Sequence, residues 1–190
     1  SLKIYKQDKI IQMKRKIFRL KKLKSKRKLV CLTAYSKPMA KILDKHCDII
    51  LMGDSIATAF YGMKDTRSIS LETMINHSKA VKKSINKSIF IFDMPINTYK
   101  NFGEAKKNAR MVINKVNCDG IKIESNGKNF NIIKKLVKSG IPVMGHIGLM
   151  PQSINLTSGY SIQGKGELHA KQIIEEAHNL YNSGAFSIVL

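Results

Sequence analysis

Three short apolar runs each end in an acid, and no other feature limits the fold as tightly. Ile49-Ile50-Leu51-Met52 leads into Gly53-Asp54-Ser55. Ser88-Ile89-Phe90-Ile91-Phe92 ends at Asp93, and Gly120-Ile121-Lys122-Ile123 ends at Glu124. Runs of this length, rich in Ile and Phe, read as buried parallel strands. Parallel α/β folds gather their ligands at the carboxyl ends of such strands. Acids on three separate strands can converge only if those strands lie side by side and point the same way.

The rest of the chain agrees with that reading. Strands are expected over 29–33, 48–52, 88–92, 119–123 and 141–145, and a sixth from 185. Helices are expected over 37–46, from an N-cap at Ser70 to about 84, and over 103–116, 129–138 and 168–182. Alternation at this pace indicates a parallel α/β fold, and no Gly-rich phosphate fingerprint follows the first strand. The architecture expected is a (β/α)8 TIM-type barrel. Such barrels need about 250 residues, and this chain has 190. It therefore reads as a barrel truncated after the start of the sixth strand. Two segments are expected: a basic N-terminal helical lead over 1–28, and a partial barrel over 29–190 holding units one to five and the start of strand six.

The formal net charge of +21 invites a nucleic-acid reading, but its distribution argues otherwise. Residues 1–28 hold 13 Lys and Arg against the single acid Asp8, whereas the other 162 residues carry a net charge of +9. Within the lead, Ile10, Met13, Ile17 and Leu20 follow helical spacing, the pattern of an amphipathic helix covering one end of the following domain. Few aromatics and no nucleic-acid motif accompany the lysines, so no nucleic-acid partner is expected. No apolar run reaches the ~18 residues of a membrane span. Cys31, Cys47 and Cys118 are odd in number and form no CxxC, which fits a reduced, cytoplasmic setting.

Asp54 and Asp93 offer hard oxygen ligands from separate strands, with no His or Cys cluster beside them. Mg²⁺ is the ion such a set suits, held by one or two carboxylates with waters and substrate oxygens. Lys122 and Glu124 are two apart and face the same side of their strand, so Lys122 is expected one layer below Glu124, neutralising a carboxylate or enolate oxygen. His146, just past the fifth run, is placed to donate to an oxygen. Ser55 is expected either to meet a substrate carboxylate or to cap the following helix. His46, His77, His169 and His178 fall on expected helices and read as surface or packing residues. A metal chelated by the keto and carboxylate oxygens of a 2-oxo acid would acidify the adjacent carbon. That chemistry still needs a base to take the proton.

These residues sit in a longer pattern. Leu32-Thr33-Ala34-Tyr35, Met52-Gly53-Asp54-Ser55, His77-Ser78-Lys79-Ala80-Val81, Phe92-Asp93-Met94-Pro95 and Ile121-Lys122-Ile123-Glu124 occur in order. They are followed by Gly145-His146-Ile147-Gly148-Leu149-Met150-Pro151-Gln152-Ser153, with Gly159-Tyr160 and Gln163-Gly164. From about Leu29 to Leu190 the chain resembles the ketopantoate (3-methyl-2-oxobutanoate) hydroxymethyltransferase family. The resemblance implies a (β/α)8 enzyme of pantothenate biosynthesis that commonly assembles as a decamer. Such enzymes transfer a hydroxymethyl group from 5,10-methylenetetrahydrofolate to 3-methyl-2-oxobutanoate, giving 2-dehydropantoate through a Mg²⁺-stabilised enolate. By motif it implies Asp54 and Asp93 as metal ligands with Glu124 nearby through water. It also implies Ser55, Asp93 and Lys122 as oxo-acid contacts, and His146 as an active-site histidine. The chain departs from the family at Ser36, where Asp is usual, at Ser125-Asn126, where Gly-Gly is usual, and at Met150, where Thr is usual. The family's general base, a glutamate, follows the sixth strand beyond Leu190, so the residues quoted include no catalytic base.

Two other readings compete. A Mg²⁺-dependent C–C lyase or mutase of the isocitrate lyase and phosphoenolpyruvate mutase type also binds 2-oxo acids, but commonly carries a catalytic Cys on a loop after strand four. No Cys follows Cys118 here. The other is a non-catalytic role, as a degraded fragment or a basic binding module.

Overall fold

The computed structural model describes residues 2–125, 127–153 and 161–190, with residues 2–7 described for their backbone alone. Asn126 and Gly159-Tyr160, quoted above, lie outside the described residues. Six strands alternate with helices: β1 (Cys31–Thr33), β2 (Ile49–Met52), β3 (Ile89–Asp93), β4 (Gly120–Glu124), β5 (Val143–His146) and β6 (Ser187–Val189). The helices are α1 (Leu2–Lys21), α2 (Lys37–Leu43), α3 (Ile56–Ala59), α4 (Leu71–Lys82), α5 (Phe102–Val116), α6 (Phe130–Lys138) and α7 (Glu167–Asn182). All strand pairs are parallel, and the sheet runs β1 to β6 in sequence order. This is a parallel α/β fold whose sheet curls as a half-barrel. The two edges converge on a cavity of about 450 Å³, with Leu29 and Ile49 on one side and Phe186 and Ile188 on the other.

Strand alternation divides the core in two. Ile50, Met52, Phe90, Phe92, Ile121, Ile123 and Val143 belong to the larger cluster, together with helix residues such as Met74, Val112 and Leu136. Their neighbours Ile49, Ile89, Ile91 and Met144 form a second cluster with Ile17 and Leu20 of α1. Along this second face the residues turn from apolar to ionisable toward the carboxyl ends: Ile89 and Ile91 precede Asp93, and Met144 precedes His146. The period of two that buries the lower residues also aims the acids into the mouth.

α1 lies across the amino ends of the strands. Met13, Ile17 and Leu20 are buried, Lys16 Nζ meets Asp119 Oδ1 at 2.8 Å just before β4, and Lys9 Nζ donates to the carbonyl of Ile113 at the end of α5. Asp119 also accepts from the backbone N–H of Phe90 through Oδ2 at 2.9 Å, so one carboxylate ties α1 to β3 and β4.

Side-chain caps open α2, α4 and α5. Ser36, Ser70 and Asn101 accept from Met39, Thr73 and Glu104 backbone N–H groups as N-caps. α5 ends on Asn117 with φ 62°, and Gly140 follows α6 with φ +85°. Four expectations need correction, among them the sixth strand, expected from 185, which begins at Ser187. α2 stops at Leu43 rather than 46: the next residues tighten into a turn in which the Lys45 and His46 N–H groups bond to the Ile42 and Leu43 carbonyls, while the Asp44 carboxylate meets the backbone N–H groups of Asn86, Lys87 and Ser88. The strand expected from 141 begins at Val143. The strand expected from 29 begins at Cys31, although the Val30 carbonyl still accepts from Asp48 and Ile49.

Candidate active site

The register of the sheet brings the acids together. Asp93 lies opposite Lys122, and Glu124 lies opposite His146. Asp54, two residues past β2, is in the turn that opens α3, and its backbone N–H donates to Asp93 Oδ2 at 3.3 Å. Lys122 Nζ donates to the same oxygen at 2.6 Å. Asp54, Asp93, Lys122, Glu124 and His146 are all buried. Of the six residues singled out from the sequence, five thus form one buried cluster at the carboxyl ends of β2 to β5.

Ser55, the sixth, is half-buried at the start of α3. It makes no side-chain capping bond; instead its Oγ shares a hydrogen bond with Tyr35 Oη at 2.7 Å. The tyrosine, just past β1, holds the hydroxyl at the edge of the mouth. Gly53 permits this arrangement, since a Cβ there would stand 2.8 Å from Ser55 Oγ.

Two residues that sequence reasoning did not single out complete the cluster. Gln152 is buried, and its Nε2 donates to Asp54 Oδ2 at 2.8 Å and to the carbonyl of Met94 at 3.0 Å. Its backbone N–H donates to Glu124 Oε2 at 3.2 Å, and its Oε1 accepts from Tyr99 Oη. Pro151-Gln152-Ser153 was visible as part of the motif. A polar residue after a Pro in a loop carries no periodicity to mark it as buried.

The electrostatics follow from burial. Desolvation pushes the Asp93 carboxyl up to about 7; the ammonium of Lys122 opposes the rise and Asp54 adds to it. Burial disfavours the charge on Lys122, but Asp93 and Asp54 outweigh it and hold the ammonium above its ordinary value. Tyr99 is raised well above the ordinary phenol range, by burial first and then by Glu124 and Asp93, so it remains a neutral donor.

The donor set fits a hard divalent cation. With both of Asp93's hydrogen bonds on Oδ2, its buried Oδ1 has no partner among the described residues, and the buried Glu124 Oε1 accepts no hydrogen bond either. His146 Nδ1 is 3.4 Å from Glu124 Oε1, near enough for electrostatic contact but without hydrogen-bond alignment. Buried carboxylate oxygens left bare are costly unless something positive meets them. Among the described residues no three His, Cys, Asp or Glu side chains close around one point. That openness suits Mg²⁺, which takes one or two carboxylates and keeps waters or substrate oxygens. A cavity of about 310 Å³ adjoins Glu124 and Gln152, lined also by Tyr99, Lys100 and Asn129.

The ketopantoate hydroxymethyltransferase family model matches residues 14–190. The chain belongs to that family. It is 44% identical over 178 residues to the 3-methyl-2-oxobutanoate hydroxymethyltransferase of Pelagibacter ubique (strain HTCC1062), covering 94% of this chain and 68% of the relative. It is 46% identical over 163 residues to that of Anaplasma marginale (strain Florida), covering 86% of this chain and 59% of the relative. The chain thus spans about three-fifths to two-thirds of the length of the curated relatives it matches. Solved structures extend the likeness in fold. Phosphonopyruvate hydrolase in complex with oxalate and Mg²⁺ superposes with a TM-score of 0.68 at 14% identity, covering 91% of this chain and 62% of that one. A 2,3-dimethylmalate lyase of the phosphoenolpyruvate mutase/isocitrate lyase superfamily gives 0.63 at 14% identity, covering 92% and 61%. At these identities the likeness is one of fold alone, a curled parallel α/β sheet of TIM type. Membership of the hydroxymethyltransferase family, whose members are enzymes, rests on the family match and on relatives at 39–46% identity.

Cys31, Cys47 and Cys118 are free and lie at the beginnings of β1, β2 and β4, the opposite end from the acids. Among the described residues no thiol borders the mouth. Among the described residues no helix is long and apolar enough to cross a membrane.

Proposed function

We propose that this chain carries the oxo-acid and metal site of a ketopantoate hydroxymethyltransferase. The reaction would move a hydroxymethyl group from 5,10-methylenetetrahydrofolate to 3-methyl-2-oxobutanoate, giving 2-dehydropantoate. The observation that carries the reading is the pair of bare, buried carboxylate oxygens, Asp93 Oδ1 and Glu124 Oε1, flanking Lys122 within a family-matched sequence. Asp54 and Asp93 would hold Mg²⁺, with Glu124 supporting it through water. When bound, the ion supplies the charge that draws the keto and carboxylate oxygens of the 2-oxo acid and acidifies the carbon beside the ketone.

The chain's own residues then divide the remaining work. Lys122 keeps its proton and presents positive charge beside Asp93, where oxygen charge grows as C3 loses its proton. Ser55, steadied by Tyr35, offers a hydroxyl to the substrate carboxylate. His146 lies at the mouth beside Glu124, within reach of a substrate oxygen. Removal of the C3 proton is assigned to none of these six residues: three are held as ligands, Lys122 is already protonated, and Ser55 and His146 are assigned to substrate oxygens. Cytoplasmic location, decameric assembly and division of the chain into a helical lead over 1–28 and a barrel portion over 29–190 belong to the same proposal.

Titration calorimetry tests the site directly. Mg²⁺-dependent binding of 3-methyl-2-oxobutanoate is expected for the 190-residue chain and is expected to weaken in Asp54→Asn and Asp93→Asn. Unchanged affinity in both variants would sink the assignment.

A further inference from the structure

We infer that Gln152, steadied by Tyr99, is the positioning residue that sets the metal-binding orientation of both Asp54 and Glu124. This inference rests on the metal site proposed above. Its starting point is the number of separate segments that meet on one amide. Gln152 follows β5, yet it bonds to Asp54 after β2, to the Met94 carbonyl after β3, to Tyr99 before α5, and to Glu124 at the end of β4. Four consecutive βα connections are therefore tied through one buried side chain and its backbone N–H.

The chemistry of these bonds fixes their direction. Asp54 Oδ2 and the Met94 carbonyl both accept, so the end of the amide that faces them must be the NH2 group. The other end is then the carbonyl oxygen, and the neutral Tyr99 satisfies it by donating its phenolic proton. The orientation of the amide is therefore set by the network rather than by choice. Every donor and acceptor of the Gln152 side chain is matched.

The consequence for the carboxylates is specific. Gln152 Nε2 occupies Oδ2 of Asp54, so Oδ1 is the oxygen an incoming cation would meet. The Gln152 backbone N–H occupies Oε2 of Glu124, and Oε1 is the oxygen left bare. On Asp93 the same division is made by Lys122 and the Asp54 backbone N–H, both on Oδ2. Each acid thus has one oxygen taken by a protein donor, and Gln152 provides that donor for two of the three. Partners that fix ligating carboxylates in this way commonly matter to metal affinity nearly as much as the ligands do. A purely space-filling residue at this position would need none of these bonds.

Mn²⁺ binding to the 190-residue chain, followed by water-proton relaxation, tests the inference. Gln152→Met keeps the side-chain volume and removes the donors and the acceptor. It is expected to raise the Mn²⁺ Kd by about 10-fold or more while retaining one site per chain. Tyr99→Phe removes only the bond that orients the amide and is expected to act in the same direction by less. The separation of Kd from site number is the deciding readout. A merely structural role would lower the fraction of folded, binding-competent chains and leave the Kd of the remaining sites at the wild-type value. That result, or wild-type binding in Gln152→Met, overturns the inference while Asp93→Asn still loses Mn²⁺. If Gln152→Met does not fold, an unchanged Kd in Tyr99→Phe overturns it. Failure of the wild-type chain to bind Mn²⁺, or equal binding by Asp93→Asn, overturns the metal site and the inference together.

Discussion

The buried carboxyl of Asp93 should make the metal-free chain less stable as pH rises through the neutral range, and Mg²⁺ should remove that dependence. Desolvation raises the Asp93 pKa from 3.8 to about 7 in the folded chain. A raised carboxyl pKa means that the folded state holds its proton more tightly than the unfolded state. Between about pH 4 and 7 the folded chain therefore binds more protons, and stability falls as pH rises, levelling off above 7. The full shift of about 3 units corresponds to roughly 4 kcal/mol, and the part between pH 5 and 8 to about 3 kcal/mol. For a chain of this size that is a fall in melting temperature of roughly 6–12 °C. Lys122, held above its ordinary value, titrates above this window. Asp44 and Asp48, both lowered, titrate below it. Glu176, raised mainly by burial, acts in the same direction as Asp93. The assay is a set of urea unfolding curves from pH 5 to 8 for wild type, Asp93→Asn and Asp93→Asn/Lys122→Met. The double variant is included because the single one leaves Lys122 buried beside one carboxylate fewer. The slope is expected to be steeper in wild type than in either variant, where the contribution of Glu176 remains. A cation on Asp93 needs the ionised form, so Mg²⁺ binding at pH 6 should release roughly one proton per ion, read by calorimetry in two buffers of different ionisation enthalpy. Parallel pH dependences in all three chains, or no proton release, would refute the reasoning.

Two packing features give independent tests of the scaffold. A Cβ on Gly145 would meet Leu180 Cδ1 at 2.5 Å and Cδ2 at 2.8 Å, and Leu180 is fully buried where α7 packs on β5. Gly145→Ala should lose about 1–3 kcal/mol in urea unfolding, and Gly145→Ala/Leu180→Ala should lose less than the sum of the single changes. Asp44 caps the start of β3 by accepting from three backbone N–H groups, of Asn86, Lys87 and Ser88. Burial tends to raise its pKa, but the N–H groups of Ser88, Asn86 and Lys87 hold it below the ordinary value. Its contribution is thus present above about pH 4 and lost as pH falls through the folded pKa. Asp44→Ala should destabilise the chain by about 3 kcal/mol at pH 7, and the difference from wild type should shrink in acid.

The parts of the site legible in the sequence are those that strand periodicity controls. Asp93 ends Ile89-Phe90-Ile91-Phe92, and Lys122 and Glu124 are two apart in β4, so alternation alone puts Lys122 one layer below Glu124 on the same face. The acids at strand ends, the helix N-cap at Ser70, and the burial of Met13, Ile17 and Leu20 are local signals of the same kind. What stayed hidden depends on contacts between segments far apart in the chain. That Asp93 faces Lys122, and Glu124 faces His146, is a matter of register between strands separated by whole helices. Ser55 was expected to cap α3 or meet a substrate, but the competing partner was Tyr35, twenty residues earlier. Gln152 lies 98 residues from Asp54, and an amide in a loop announces neither burial nor direction. The two kinds of information meet at the carboxylates: strand order brings the acids to one mouth, and a loop amide decides which of their oxygens remain available there. A chain with the same apolar runs and acids but an apolar residue at 152 would show the same sequence pattern and the same half-barrel. It would still leave Asp54 and Glu124 free to turn, and it would hold its cation more weakly.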